Sequence, residues 1–173
     1  MRRATYDDLA ALRDIFNQQR DAGLFPFTDL IEPWTEQKAA DLLNTYTGTL
    51  LLSLGGQPVG FVAFVDYTRP ETGSAIVPEA DPEVQILAVR VGQLSNQQRL
   101  SAVKRLAVGV CRDLRRQGFR GCEATIHART GFQNIFGDRL EVKSVHERSG
   151  LAEAKTARFR IVEIIEDFEA EGL

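Results

Sequence analysis

The spacing of apolar positions along the chain changes period several times, and each change marks an element. "MRRAT" opens as a short strand. Leu9, Leu12, Ile15 and Phe16 then recur at helical spacing behind Asp7 and Asp8, so a helix capped by Thr5 is predicted up to Gly23. The aromatic and proline-containing stretch "LFPFTDLIEPW" reads as a loop that lays Phe25, Phe27 and Trp34 over the core or over a cleft. Behind Thr35, the residues Ala39, Leu42, Leu43 and Tyr46 form one face of a second helix that ends near Gly48.

The period then falls to that of strands. "TLLLSLGGQPVGFVAFVDY" is a β-hairpin signal centred on Gly55 and Gly56, and "TRPETGSAIVPEADP" is loop. "EVQILAVRV" is nearly continuous in apolar residues, as expected of a strand buried on both faces in mid-sheet. From Ser95 to Gln117 a long helix follows, with Leu100, Val103, Leu106, Ala107, Val110, Cys111 and Leu114 on one stripe that should all face the core. After Gly118, "GCEATIHA" is a strand, "TGFQNIF" a short helix, and "LEVKSVHER" and "TARFRIVEII" two closing strands. The acidic end "EDFEAEGL" has no evident partner.

Composition narrows the class. With 173 residues, 43% hydrophobic and 26% charged, the chain has the apolar material for one domain spanning 1-173. A net charge of −3 gives no general affinity for nucleic acid. Cys111 and Cys122 lie among apolar neighbours inside regular elements, which points to buried free thiols and a reducing compartment. No apolar run has the length of a membrane span or a signal peptide, so a soluble, cytoplasmic protein is expected. His127 and His146 are the two histidines, and without grouped cysteine ligands no metal site is expected.

The element order β-α-α-β-β-β-α-β-α-β-β has too few βαβ units for a doubly wound sheet. With "RRATYDDLAALRDIFN" as opening segment, the hairpin "LLLSLGGQPVGFVAF" and a strand-helix-strand centre, it resembles the GNAT superfamily of acyl-CoA-dependent N-acyltransferases over nearly the whole chain. The resemblance implies an α/β (α+β) fold, a mixed central sheet of about six to seven strands flanked by about four helices. It also implies acetyl-CoA as donor and a small-molecule or peptide amine as acceptor.

In that family a loop of the form [RQ]-x-x-G-x-[GA] holds the coenzyme's pyrophosphate on backbone amides at a helix start, where the helix dipole favours negative charge. The best match is "QQRLSA", Gln97 to Ala102, with Leu100 where the first glycine should stand. The coenzyme would then lie across Val89 to Val91 and meet Gln97, Gln98, Arg99, Ser101 and Ala102. A competing reading takes "SNQQ" as a capping box, in which Ser95 and Gln98 satisfy each other's amides and the helix begins before the supposed loop. Both stay open.

The resemblance also implies a carboxylate that deprotonates the amine and a tyrosine on the short last helix that protonates the leaving thiolate. Glu83 is the candidate base, with Glu123 second, and His127 could also transfer a proton. Phe136 stands at the tyrosine position and has no proton to give.

Arg99, Lys104, Arg105, Arg112, Arg115, Arg116 and Arg120 make the long helix basic within an acidic protein. They suit a solvated face paired with the acidic C-terminus, a contact to the coenzyme's outer phosphate, or docking on an acidic partner. No aromatic residue is interleaved among them, which argues against single-stranded nucleic acid. The second half, "LS" at a basic helix followed by "GFQNIFGDRLEV", is also similar to the GNAT-like small internal proteins of podophages. That resemblance implies a scaffold without catalysis, a virion or assembly component whose basic helix from Arg99 to Arg120 meets another protein.

Overall fold

The structure, a computed structural model, describes residues 1–25, 31–68, 80–127, 135–146 and 154–172. Four α-helices are described, α1 (Leu9–Asp21), α2 (Glu36–Thr45), α3 (Asn96–Arg116) and α4 (Ile161–Ala170). The strands are β1 (Arg2–Arg3), β2 (Gly48–Leu54), β3 (Gln57–Val65), β4 (Glu83–Val89), β5 (Gly121–His127), β6 (Leu140–His146) and β7 (Ala154–Arg160). They form one sheet in the order β1-β2-β3-β4-β5-β7-β6. The neighbours pair antiparallel, except β4 and β5, which run parallel.

Alternation along the strands feeds two cores, one on each face of the sheet. Leu50, Leu52, Val62 and Phe64 pack beneath α3 and α4, whereas Leu51, Phe61, Ala63 and Ala88 pack beneath α1 and α2. Phe16 extends the second core by stacking on Trp34 at 3.8 Å and on Phe25 at 4.6 Å between ring centroids. The packing role expected for Phe25 and Trp34 is therefore seen; Phe27 lies outside the described residues.

Several local signals act as the sequence implies, although Thr5 caps a 3-10 turn at Tyr6–Asp8 that leads into α1 and not α1 itself. Gly55 and Gly56 both take positive φ (56° and 81°), which makes the two-residue hairpin turn that matches strand twist. Thr35 caps α2, its hydroxyl accepting from Lys38 N–H at 3.2 Å. Ser95 caps α3 through a complete capping box: Gln98 N–H donates to Ser95 Oγ at 3.2 Å, and Ser95 N–H donates to Gln98 Oε1 at 2.8 Å.

Two expectations are corrected. The stretch "TARFRIVEII" is not one strand, because β7 stops at Arg160 and α4 begins at Ile161. Ile161, Ile164, Ile165 and Phe168 recur at helical spacing and are all buried, so burying that face outweighs the strand preference of the β-branched run. The acidic end pairs with the basic helix, as complementary charge suggests: Glu169 pairs with Arg112 and Glu171 with Lys104, while Asp167 and Glu171 also pair with Arg139 at 2.6 and 3.2 Å. Lys104 and Arg112 on the basic face of α3 are thus matched by the acidic end. The second correction is Leu100, which is 40% exposed. Burial along α3 starts at Ala102, so its opening turn lies past the core that the rest of the stripe covers.

Candidate functional site

The central strands do not stay together. β4 and β5 pair at Glu83 with Glu123 and Val84 with Ala124, and they part beyond these two positions although both strands continue. A bulge assists the parting: the β3 register passes from Phe64 opposite Val84 to Ala63 opposite Ile86, leaving Gln85 unmatched, and such an extra residue bends and twists its strand.

The gap is a cavity of about 120 Å³ that reaches both layers of the molecule. Val84 to Leu87 and Ala124 to Ile126 form its strand walls. Cys111, Phe136 and Ile164 close it on the α3 and α4 side, and Gln19, Leu24 and Phe25 reach it from the end of α1. Leu24 and Phe25 arrive there because α1 ends in a Schellman turn. Gly23, at φ 69°, donates its N–H to Arg20 O at 2.8 Å, and Leu24 N–H donates to Gln19 O at 3.1 Å.

Beyond the cavity, the β4 edge has no strand partner among the described residues. Arg90 N–H donates to Val59 O on β3 at 2.8 Å, and backbone groups alternate sides along a strand, so Leu87 C=O and Val89 N–H face the gap. After Val89 the chain turns through Arg90 to Ser95 into the N-terminus of α3. One path therefore leads from the cavity, along the β4 edge, to the positive end of a 21-residue helix.

At the closed end of the gap, Glu83 is half buried and accepts from Tyr67 Oη at 3.1 Å, and Gln85 Nε2 donates to the same hydroxyl at 3.1 Å. Burial pushes the phenols of Tyr46 and Tyr67 above their ordinary values, and the Glu83 charge adds to the effect. Both phenols thus stay protonated at neutral pH, and Tyr67 holds one oxygen of the carboxylate.

The other residues singled out in the sequence fall as follows. Val89 ends β4 and is buried; Val91 lies in the turn before α3. Gln97, Gln98, Arg99, Ser101 and Ala102 all lie within the first two turns of α3, Ala102 being fully buried. His127 is the last residue of β5, opposite Ala154 of β7, and its side chain lies outside the described residues. Glu123 is committed to an ion pair with Lys143. Phe136 lines the cavity and packs edge-on against Phe159 at 5.0 Å. Cys111 and Cys122 are buried free thiols side by side in the cavity wall, where their mutual hydrogen bond and burial push the Cys122 thiol up.

Sequence reasoning missed Tyr67, Tyr46 and Gln19. The tyrosines are far from Glu83 along the chain, and nothing local marks Gln19 within its polar run "NQQR". Among the described residues no helix is long and apolar enough to cross a membrane, and no group of three or more possible metal ligands gathers.

No family model matches the chain, and no curated protein matches it. Solved structures do. An aminoglycoside 6'-acetyltransferase type Ii is similar at TM-score 0.66 and 10% identity, over 92% of this chain and 95% of that one. An N-acetyltransferase from Staphylococcus aureus Mu50 is similar at TM-score 0.65 and 9% identity, over 93% and 96%. The PaiA N-acetyltransferase from Thermoplasma acidophilum, solved in complex with coenzyme A, gives 0.61 at 16% identity, over 92% and 96%. With its parted parallel strands inside a seven-stranded mixed sheet, this chain has the fold of the GNAT acetyltransferases.

Proposed function

We propose that the chain binds an acyl-CoA along the β4 edge, with acetyl-CoA the first donor to test, and transfers the acyl group to an amine. The observation that carries this reading is the cavity between β4 and β5, which opens to both layers and continues along a strand edge to a helix N-terminus. A ligand suited to that path has an anionic head, an arm carrying amides and a reactive end that sits between the strands. Coenzyme A has all three, and when bound it supplies an acyl group activated as a thioester.

The chain's own residues divide the work. The first turn of α3 offers the amides of Asn96 and Gln97 to the diphosphate; the capping box already uses those of Ser95 and Gln98. Leu100 points to solvent, so the side chain in place of the motif glycine narrows the approach to that turn. Glu83, oriented by Tyr67, takes the proton of the acceptor amine, which enters on the α1 and α2 side. His127, at the far end of β5, is the second candidate for that step. Phe136 gives no proton, and water is the acid.

The test is calorimetry and thermal shift with acetyl-CoA. Micromolar affinity corresponds to about 8 kcal/mol. A hundredfold excess over the dissociation constant should stabilise the fold by about 2.7 kcal/mol, a rise of several degrees in Tm. Absence of both heat and shift at millimolar ligand would sink the reading and leave a scaffold of this fold without the chemistry.

A further inference from the structure

The gap-facing edge of β4 is already engaged by a side chain. Gln19 Nε2 donates to Leu87 O at 3.0 Å, and Val89 N–H donates to Gln19 Oε1 at 2.7 Å. Both bonds fall on the edge that faces the gap, and Gln19 is only 4% exposed. A carboxamide that gives one bond and takes one bond across residues i and i+2 of a strand does what a peptide group of a neighbouring strand would do. Gln18 continues the pattern: with its carboxamide oriented to match donors to acceptors, it donates to Val91 O at 3.2 Å and accepts from Arg90 Nη1 at 3.1 Å. The end of α1 therefore stands in for a strand along Leu87 to Val91.

Buried strand-edge groups have to be satisfied, because each one left unpaired costs stability. Gln19 meets that need while the gap holds no other amide. An amide-bearing ligand that adds to the edge by strand-like pairing needs the same C=O and N–H. Gln19 and the ligand cannot both hold them.

We propose that Gln19 is a displaceable stand-in for the ligand's amide: its side chain closes the β4 edge in the free protein and must leave Leu87 O and Val89 N when the amide arm of an acyl-CoA binds. This rests on the acyl-CoA reading and adds to it a residue that sets affinity by competition. Gln19 lines the cavity beside Leu24 and Phe25, so its side chain leaves next to the segment on the acceptor side of the gap.

The experiment compares wild type with Gln19→Met, which keeps the length and apolar volume but makes neither bond. Three probes are titrated calorimetrically: coenzyme A, pantetheine (the amide arm alone) and adenosine 3',5'-bisphosphate (the phosphate end alone). Gln19→Met should lower the Tm of the free protein but not of the coenzyme-saturated protein. It should tighten coenzyme A and pantetheine by roughly tenfold or more, equivalent to ~1.4 kcal/mol, and leave the bisphosphate unchanged. Should Gln19→Met fail to fold, the wild type alone decides: the Gln19 side-chain NH2 signals, slow to exchange in the free protein, should lose protection at saturating coenzyme A. Retained protection, or equal affinities of the two proteins for pantetheine, overturns the stand-in and leaves the acyl-CoA reading intact. Binding by Gln19→Met but not by wild type supports both. No binding of coenzyme A by either protein overturns the acyl-CoA reading, and the stand-in with it.

Discussion

Removing the Ser95 hydroxyl should destabilise the protein through one identifiable hydrogen bond, the one it accepts from Gln98 N–H. Ser95 and Gln98 exchange two bonds, at 3.2 and 2.8 Å, on the exposed first turn of α3, where no packing is lost with the side chain. Ser95→Ala should therefore cost about 1 kcal/mol within a usual span of roughly 0.5 to 2 for a lost N-cap. Over 173 residues, an unfolding entropy of ~2.1 cal/mol/K per residue makes each kcal/mol worth about 3 °C, so the midpoint should fall by roughly 1 to 6 °C. Differential scanning calorimetry on Ser95→Ala, Gln98→Ala and the double variant is the assay. Each single variant loses one of the two bonds and keeps the other, which uses its own backbone N–H, so the double variant should lose about the sum of the two single losses. Ser95→Ala also releases the Gln98 amide, so affinity for coenzyme A should hold or rise while stability falls. An unchanged midpoint in both single variants would refute the capping box as the start of α3.

Leu100→Ala should be nearly neutral, within about 0.5 kcal/mol, because the side chain is exposed, whereas Leu100→Gly should cost about 1 kcal/mol through backbone entropy; a loss of several kcal/mol from the alanine would return Leu100 to the core. Glu83→Gln should lower the turnover number about 10²- to 10⁴-fold and leave coenzyme binding unchanged in stopped-flow and calorimetric assays, and activity within threefold of wild type would remove Glu83 as the base. Asp8 is nearly buried and grips Arg2 through two bonds of 2.7 Å, and the hydrogen bonds from the Arg2 guanidinium hold its carboxyl below the usual carboxylate range. Its folded pKa is depressed, so its contribution is present above the unfolded value of about 3.9 and is lost as pH falls through the folded value. The Tm difference between wild type and Asp8→Asn should accordingly be full at pH 6 and shrink below pH 4; a difference constant from pH 7 to pH 3 would refute the assignment.

What the sequence settles by itself is whatever nearest neighbours decide. The Gly55-Gly56 turn, the caps at Thr35 and Ser95 and the stop of α3 before Gly118 rest on bonds between residues a few positions apart, so a short window contains both partners. The continuous apolar run of β4 likewise announces a strand covered on both faces, which is why its central place was legible. Where a local preference competed with a distant surface, the window misled. Ile161 to Ile165 carry strand-forming side chains, yet a helix there buries four apolar residues against α3 and the sheet. Leu100 keeps the period of its stripe, yet nothing in that period says where the sheet beneath the helix ends.

The site belongs almost wholly to the tertiary structure. Glu83 could be singled out as a carboxylate, but its tyrosine partner comes from a different segment, and so does the Gln19 carboxamide that reaches Leu87 and Val89 nearly seventy positions away. The parting of β4 from β5 is the extreme case: it is an absence of pairing between two sound strands, produced by the bulge at Gln85 and by layers packed on both faces, and an unmade bond leaves no pattern in either strand's own residues.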